Sequence, residues 1–392
     1  MPVRPLRTRR RQVAIGLIAA CLAALLPTAA DAAPPPGPHS DAGLQEQLED
    51  LVDEPGGPPG AIAVLRDGRN SRVITAGVAD LDTGRRPAPH DHMRIASTAK
   101  AFSGAVALSL VDWNTLDLDE TIGQRLPHLP EAWHAVTLRQ LLHHTSGLPD
   151  YSRSEGFLEI VLADPRHRFD SRRLLDFIAD EPLRFAPGSR YEYSNSDNIA
   201  VALMAEAATR IPYEQLLHKL VYRPLGLRDT SLPQGYRMPE PYLHGYDVSP
   251  PDPPEDVSEV LGMSGVWASG GIVSTPADMT RFIRGYAGGR LYGPDVVEQQ
   301  RDWIPGNSEP KGPGRNDAGL AVFRYTTRCG VVLGHTGNTL GYTQLIAATP
   351  DGQRSLTFSV TTQINQAQKP DLLRKMRAVQ ENFVCALLRH RS

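Results

Sequence analysis

Ser97 and Lys100 stand three residues apart in Ser97-Thr98-Ala99-Lys100, just ahead of the apolar-periodic run Ala101–Val111. On a helix that spacing places both side chains on one face, one turn apart, so a hydroxyl and an amine become neighbours. A serine hydroxyl is a weak nucleophile until a base removes its proton, and a lysine desolvated in a cleft can have its pKa lowered enough to serve. The start of a helix also favours negative charge at that position. Alone, the pattern equally fits an N-cap serine beside a solvated lysine. Two further segments follow in order. Tyr193-Ser194-Asn195 comes after Pro187-Gly188, and His335-Thr336-Gly337 lies between two late β-like runs. Other familiar sites are missing: there is no G-x-S-x-G, H-E-x-x-H, P-loop or dinucleotide fingerprint. His143-His144 and His90-x-His92 lack convincing third and fourth ligands, so no metal and no organic cofactor are expected.

S-x-x-K with later S-D-N-type and K-T-G-type segments is the motif set of penicillin-binding proteins and β-lactamases. Over roughly residues 45–388 the chain resembles the penicillin-binding serine hydrolase family, in the branch whose second motif is Y-x-N and whose third is H-T-G. The stretches that carry the resemblance are PPGAIAVLRDG (58–68), RIASTAKAF (94–102), VTLRQLLHHTSGLPDY (136–151), PGSRYEYSN (187–195) and GHTGNTLGY (334–342). It is greatest to the secreted D-Ala-D-Ala carboxypeptidases. Ser196-Asp197-Asn198 is a literal S-D-N, but the lead-in PGSRYEYSN and the H-T-G motif favour Tyr193 and Asn195. Ser196 and Asp197 then suit the cap and first turn of the following helix.

The resemblance implies a role for each matched position. Ser97 attacks the acyl carbonyl, and Lys100 and Tyr193 share proton transfer, with the acylation base left open between them. Asn195 donates to the substrate amide and to Lys100. His335 replaces a fixed cation with a group that titrates near neutrality, and with Thr336 it meets the substrate carboxylate. Gly337 lets the substrate backbone lie along the strand edge. The backbone N–H groups of Ser97 and Asn338 form the oxyanion site. Tyr151 is a cleft candidate because the HTSGLPDY loop flanks the site in the family, and Trp267 and Arg324 are possible subsite residues by proximity to matched segments. The implied activity is release of terminal D-Ala from peptidoglycan stem peptides, or of related groups from other D-amino-acid peptides and esters, followed by hydrolysis of the acyl-enzyme or by its transfer as in a transpeptidase. β-Lactams are then inhibitors or substrates. A class C-like β-lactamase, an esterase or a D-amino-acid amidase would use the same serine, and a non-catalytic binding protein on this fold is the alternative of another class.

These residues need a scaffold, and 392 residues leave ample length for one. β-like runs at Ala61–Leu65 and Arg72–Ala79 flank an Asp67-Gly68 turn, after a short helix over Leu44–Val52. Helical spacing follows at Ala101–Val111, Leu138–Leu142, Arg172–Ile178, Ile199–Ala208 and Tyr213–Leu220. Pro233–Pro254 is too proline-rich for regular structure. Leu320–Tyr325, Val331–Gly334, Tyr342–Ala348 and Ser355–Thr361 read as strands, and Leu372–Leu388 as a closing helix. The expected fold is α/β (α+β): an antiparallel sheet from both chain ends with helices on its faces, plus an inserted helical subdomain. The expected divisions are an α/β subdomain over 44–100 and 260–392 and a mostly helical one over 101–259, with no internal repeat.

Arg4, Arg7 and Arg9 to Arg11, then apolar Val13–Leu26 and small Ala30 and Ala32, read as an export signal over 1–32, followed by a Pro-rich linker over 33–43. Fourteen apolar residues as a helix span about 21 Å, short of the ~30 Å hydrocarbon core. A lipoprotein anchor at Cys21 is the lesser alternative, and Arg10-Arg11 leaves twin-arginine export open. A secreted protein is expected. Removal of the signal would leave Cys329 and Cys385, an even pair in an oxidising compartment and so an expected disulfide. The same spacing resembles a bridge of the secreted carboxypeptidases. The net charge of −3, more negative without the N-terminal arginines, argues against nucleic acid as a partner. Nothing in the sequence asks for an oligomer, so a monomer is expected.

Overall fold

Alternation along β1 (Gly60–Asp67) sorts its side chains between two different cores. Ala61, Ala63 and Leu65 face one side of an antiparallel sheet, and Ile62 and Val64 face the other, as period-2 geometry requires of a strand buried on both faces. The computed structural model describes residues 37–389. The segment expected to be an export signal, with Cys21, and the first residues of the Pro-rich segment lie outside the described residues.

The sheet has eight strands, adding β2 (Asn70–Gly77), β3 (Ile304–Pro305), β4 (Arg315–Ala318), β5 (Phe323–Thr327), β6 (Gly330–Thr339), β7 (Tyr342–Ala348) and β8 (Arg354–Val360). Their spatial order is β2-β1-β8-β7-β6-β5-β4-β3, so the first hairpin pairs with the last strand in the register Ala61↔Val360. One face is covered by α1 (Asp41–Val52) and by the closing helix Pro370–Arg389. Leu44, Leu48 and Leu51 recur at helical spacing and meet Leu356, Phe358 and Val360 of β8 in one cluster. Burying each of these leucines contributes about 2 kcal/mol.

The opposite face carries the helical part of the chain. Its centre is α2 (Ala99–Asp112), buried on all sides from Ala99 to Leu110 and packed against α3 (Asn195–Thr209). A helix that is mostly apolar around its circumference belongs in the middle of a protein, and here it carries Lys100 in its first turn with Ser97 just ahead of it. Among the described residues no helix is long and apolar enough to cross a membrane.

Several boundaries differ from the sequence reading, each for a local reason. The linker ends before residue 41, because Ser40 caps α1 by accepting from the Gly43 N–H. β5 begins at Phe323, not Leu320: Ala321 has a left-handed φ of 53°, and its N–H donates to the Leu142 carbonyl. β6 runs through Thr339, so His335-Thr336-Gly337 lies within a strand and not between two. Arg172–Ile178 falls in a 3₁₀ helix, and Tyr213–Leu217 continues into a π-helical turn over His218–Tyr222. The Pro-rich stretch is irregular except for Tyr246–Asp247, which pairs with Glu255–Asp256.

Candidate active site

The nucleophile turn is built from a strained residue. Ala96 has φ 50°, in the left-handed region where a Cβ costs about 1–2 kcal/mol. That conformation turns the chain from Ile95 into a 3₁₀ turn, Ala96–Thr98, held by the Thr98 hydroxyl donating to the Ile95 carbonyl at 2.6 Å. Ser97 emerges half-buried at the mouth of a cavity, and Lys100 follows one turn later at the base.

Lys100 is fully buried and spends all three ammonium donors. Its Nζ reaches Ser97 Oγ at 3.2 Å, Asn195 Oδ1 at 2.7 Å and the Ser269 carbonyl at 2.7 Å. Burial lowers its pKa to about 7, partly offset by the nearby carboxyl groups of Asp150, Glu309 and Asp197. A large fraction is therefore free amine near neutral pH, hydrogen-bonded to the serine whose proton it would accept.

Asn195 opens α3 directly after its N-cap, Ser194. Its Nδ2 donates to Asp150 Oδ2 at 3.1 Å and to Ser152 Oγ at 3.0 Å. The amide orientation follows from these neighbours, since a flip would set the NH₂ group against the Lys100 ammonium. This corrects the expectation that Asn195 donates to Lys100 and to substrate: its oxygen accepts from the lysine and both amide hydrogens are taken. The cap is likewise Ser194, not Ser196, and Asp197 is buried beneath the site.

The Tyr193 ring lies beside Lys100, with Nζ 5.0 Å from its centroid. Its hydroxyl is buried without a hydrogen-bonded partner among the described residues. Burial holds the phenol well above the usual tyrosine range, and the neighbouring Ser97 hydroxyl only partly offsets this. Tyr193 is thus a neutral phenol in the resting site, able to give or relay a proton.

β6 forms the facing wall. Its pairing with β5 ends at Gly334↔Phe323, so from His335 onward that edge has no strand partner and passes the nucleophile turn. Gly337 is required by protein packing: a Cβ there would fall 2.4 Å from the Ile95 carbonyl oxygen and 3.2 Å from the Thr98 nitrogen. Room for the turn that carries Ser97 is a reason for glycine here besides the expected room for substrate backbone. Asn338 lines the same cavity as Ser97, Tyr193 and Asn195.

His335 and Thr336 depart from their expected positions. The His335 ring is fully buried, its Nδ1 lies 2.6 Å from the Thr336 carbonyl, and it meets Phe323 edge-on. Burial drives its pKa down to about 3, so it stays neutral where the sequence reading had it titrating near pH 7. The Thr336 hydroxyl donates to the Pro310 carbonyl at 2.6 Å. Neither side chain is among those lining the cavity.

That cavity measures about 790 Å³ and is bounded by Asn307–Lys311, Asn365–Gln368 and Arg377 as well as by the motif residues. Glu309, Lys311 and Arg377 bring charge to it and carried no motif signal. Arg377 is fixed from the closing helix by donating to the Gly312 and Gly314 carbonyls at 3.0 and 3.1 Å. The cleft candidates named by proximity are engaged elsewhere. Tyr151 donates to the Gly265 carbonyl, Trp267 to Glu214, and Arg324 pairs with Asp317. His143 and His144 turn to different partners, the Asp302 carbonyl and Asp197. Far from the cleft, Cys329 and Cys385 form a disulfide, Cα to Cα 5.2 Å, tying the β5–β6 turn to the closing helix.

A serine, a buried lysine and an asparagine thus form one hydrogen-bonded set faced by an open strand edge. The model of the family described as Beta-lactamase matches residues 44–381. The chain belongs to the beta-lactamase family. It is 25% identical over 296 residues to penicillin-binding protein 4* of Bacillus subtilis, covering 72% of this chain and 63% of that one. The chain thus spans less than two thirds of the length of that relative. Among solved structures, a D-stereospecific amidohydrolase from Streptomyces sp. is 28% identical with a TM-score of 0.72, covering 86% of this chain and 98% of that one. The fold of the D-amino acid amidase from Ochrobactrum anthropi SV3, solved with L-phenylalanine, also matches: 24% identity, TM-score 0.75, 87% and 97% covered.

Proposed function

We propose that this family member is an exported serine D-Ala-D-Ala carboxypeptidase that works through an acyl-enzyme on Ser97. The observation that carries the reading is the 3.2 Å contact from Ser97 Oγ to a fully buried Lys100 whose pKa lies near 7. Neutral Lys100 accepts the hydroxyl proton as Oγ bonds to the carbonyl carbon, and this favours Lys100 over Tyr193 as the acylation base. The C–N bond then breaks, and the departing amine of D-Ala takes a proton delivered through Tyr193. Water, deprotonated in the same way, cleaves the ester and restores Ser97. Backbone N–H groups of Ser97 and Asn338 bind the oxyanion. Lys311 and Arg377 line the cavity and complement a peptide ending in a free carboxylate, whereas the buried His335 ring does not line it.

Exported placement rests on the basic and apolar N-terminal pattern and agrees with the disulfide. A second reading, a D-amino-acid amidase, is favoured by the Streptomyces amidohydrolase, matched over nearly its whole length. Incubation with diacyl-Lys-D-Ala-D-Ala and, separately, with D-phenylalanine amide distinguishes the two. Release of D-Ala beyond a Ser97→Ala control supports the carboxypeptidase. Ammonia release from the amide without D-Ala release replaces it with the amidase.

A further inference from the structure

His144 and Asp197 are fully buried behind Tyr193, and the chemistry above uses neither. His144 Nδ1 lies 2.7 Å from Asp197 Oδ2, and Asp197 Oδ1 accepts from Ser146 Oγ at 2.5 Å. The imidazole lies against the Tyr193 ring, centroids 4.4 Å apart and planes inclined by 35°. His144 holds a left-handed φ of 56°, a strained conformation for a non-glycine residue. Its carbonyl accepts from the Glu192 N–H at 2.9 Å, one residue before the tyrosine. The loop around it is joined to the tyrosine segment further along: Ser196 Oγ donates to the Pro149 carbonyl, and the Tyr151 N–H donates to Ser196 Oγ. Among the described residues the Tyr193 hydroxyl has the nearby Ser97 hydroxyl acting on it but no hydrogen bond that anchors it, so its ring and backbone contacts set its position.

We propose that His144, Asp197 and Ser146 form a charge-neutral positioning unit that fixes the Tyr193 ring against Ser97 and Lys100 while leaving its hydroxyl free to move a proton. The inference rests on the Ser97–Lys100–Tyr193 reading. One proton is shared between His144 Nδ1 and Asp197 Oδ2. Burial disfavours a separate charge on either group, lowering the histidine to about 3 and raising the aspartate well above its ordinary range, and the 2.7 Å contact lets the two hold one proton between them. A neutral pair suits the place, because Lys100 already faces the carboxylates of Asp150 and Glu309 and the ring of Tyr193, with His335 also close enough to act on it. A separated charge behind the tyrosine would move the lysine away from neutrality.

The test is the rate at which a fluorophosphonate labels Ser97 between pH 5 and 10, read by intact mass. In that reaction Oγ bonds to phosphorus, the P–F bond breaks, fluoride leaves, and Lys100 takes the proton. Variants are His144→Asn, Asp197→Asn, Asp197→Ala and Ser146→Ala, with Tm followed for each. Asparagine tolerates positive φ and still donates toward Asp197, so His144→Asn removes the ring while sparing the backbone. The expected result is a plateau rate at least tenfold lower in His144→Asn, with the wild-type midpoint kept. Asp197→Asn should restore most of the rate that Asp197→Ala loses, again with the midpoint unmoved. Wild-type rates in His144→Asn, equal losses in both Asp197 variants, or a shifted midpoint in Asp197→Asn would each overturn the proposal. If the buried variants fail to fold, Ser146→Ala decides: a two- to fivefold loss at unchanged midpoint supports the unit, and an unchanged rate overturns it. Failure of wild type to label at Ser97 would instead overturn the underlying reading of the site.

Discussion

Lys100 and His335 are both basic, both fully buried and only a few residues from the nucleophile turn or its facing strand, yet burial leaves them in opposite chemical states. Lys100 has three acceptors and carboxylates within reach, and its pKa settles near 7. His335 has one backbone carbonyl, no carboxylate acting on it and two basic neighbours, and falls to about 3. Desolvation sets the direction in each case, and the surrounding charges set where the group comes to rest. One is poised to exchange a proton at neutral pH, and the other is a neutral part of the wall.

Replacing the poised member should have the largest effect. Lys100→Met should lower fluorophosphonate labelling of Ser97 at least a thousandfold at pH 8. It should also alter stability in a defined way. Because the folded lysine titrates near 7 and the unfolded one near 10.5, folding releases a proton between those values and stability rises with pH across that window. In Lys100→Met this rise disappears, as Tm measured from pH 6 to 10 will show. A stability curve identical to wild type would break the comparison at its stronger side.

Next in size is Gly337→Ala. Its Cβ would overlap the Ile95 carbonyl and push β6 off the nucleophile turn. Labelling of Ser97 should fall at least a hundredfold, accompanied by a lower Tm. Asp150→Asn sharpens the comparison from the side of charge. It removes a carboxylate that raises the Lys100 pKa, so the midpoint of the pH–rate curve should move to lower pH, by about half a unit or more. Movement to higher pH would contradict the sign. His335→Gln should do least: a labelling rate within fivefold of wild type and an unmoved midpoint, because no charge is lost. A midpoint shift would mean that His335 titrates after all.

The fold was readable in outline because strands buried on both faces and a mostly apolar central helix leave strong patterns. Tyr342–Ala348 and Leu138–Leu142 match their expected limits. Boundaries failed where one backbone torsion decided them, as at Ala321. Ser97, Lys100 and Tyr193 were legible because short motifs hold them near one another in space. The acceptor at the Ser269 carbonyl left no trace, since any residue supplies a backbone oxygen. Glu309, Lys311 and Arg377 reach the cavity from segments joined to it only by the fold. Asp150 could have been found, as an acidic side chain inside the matched stretch 136–151. His335 was misjudged because a motif letter says nothing about whether a ring faces solvent.

The central claim, a lysine held near neutrality against the nucleophile, can be read directly. Lysine labelled with ¹³C at Cε should give one resonance that titrates with a midpoint near pH 7 and is missing from Lys100→Met. If that resonance titrates only above pH 9, Lys100 is an ordinary cation in the resting site, and the account of Ser97 activation is contradicted.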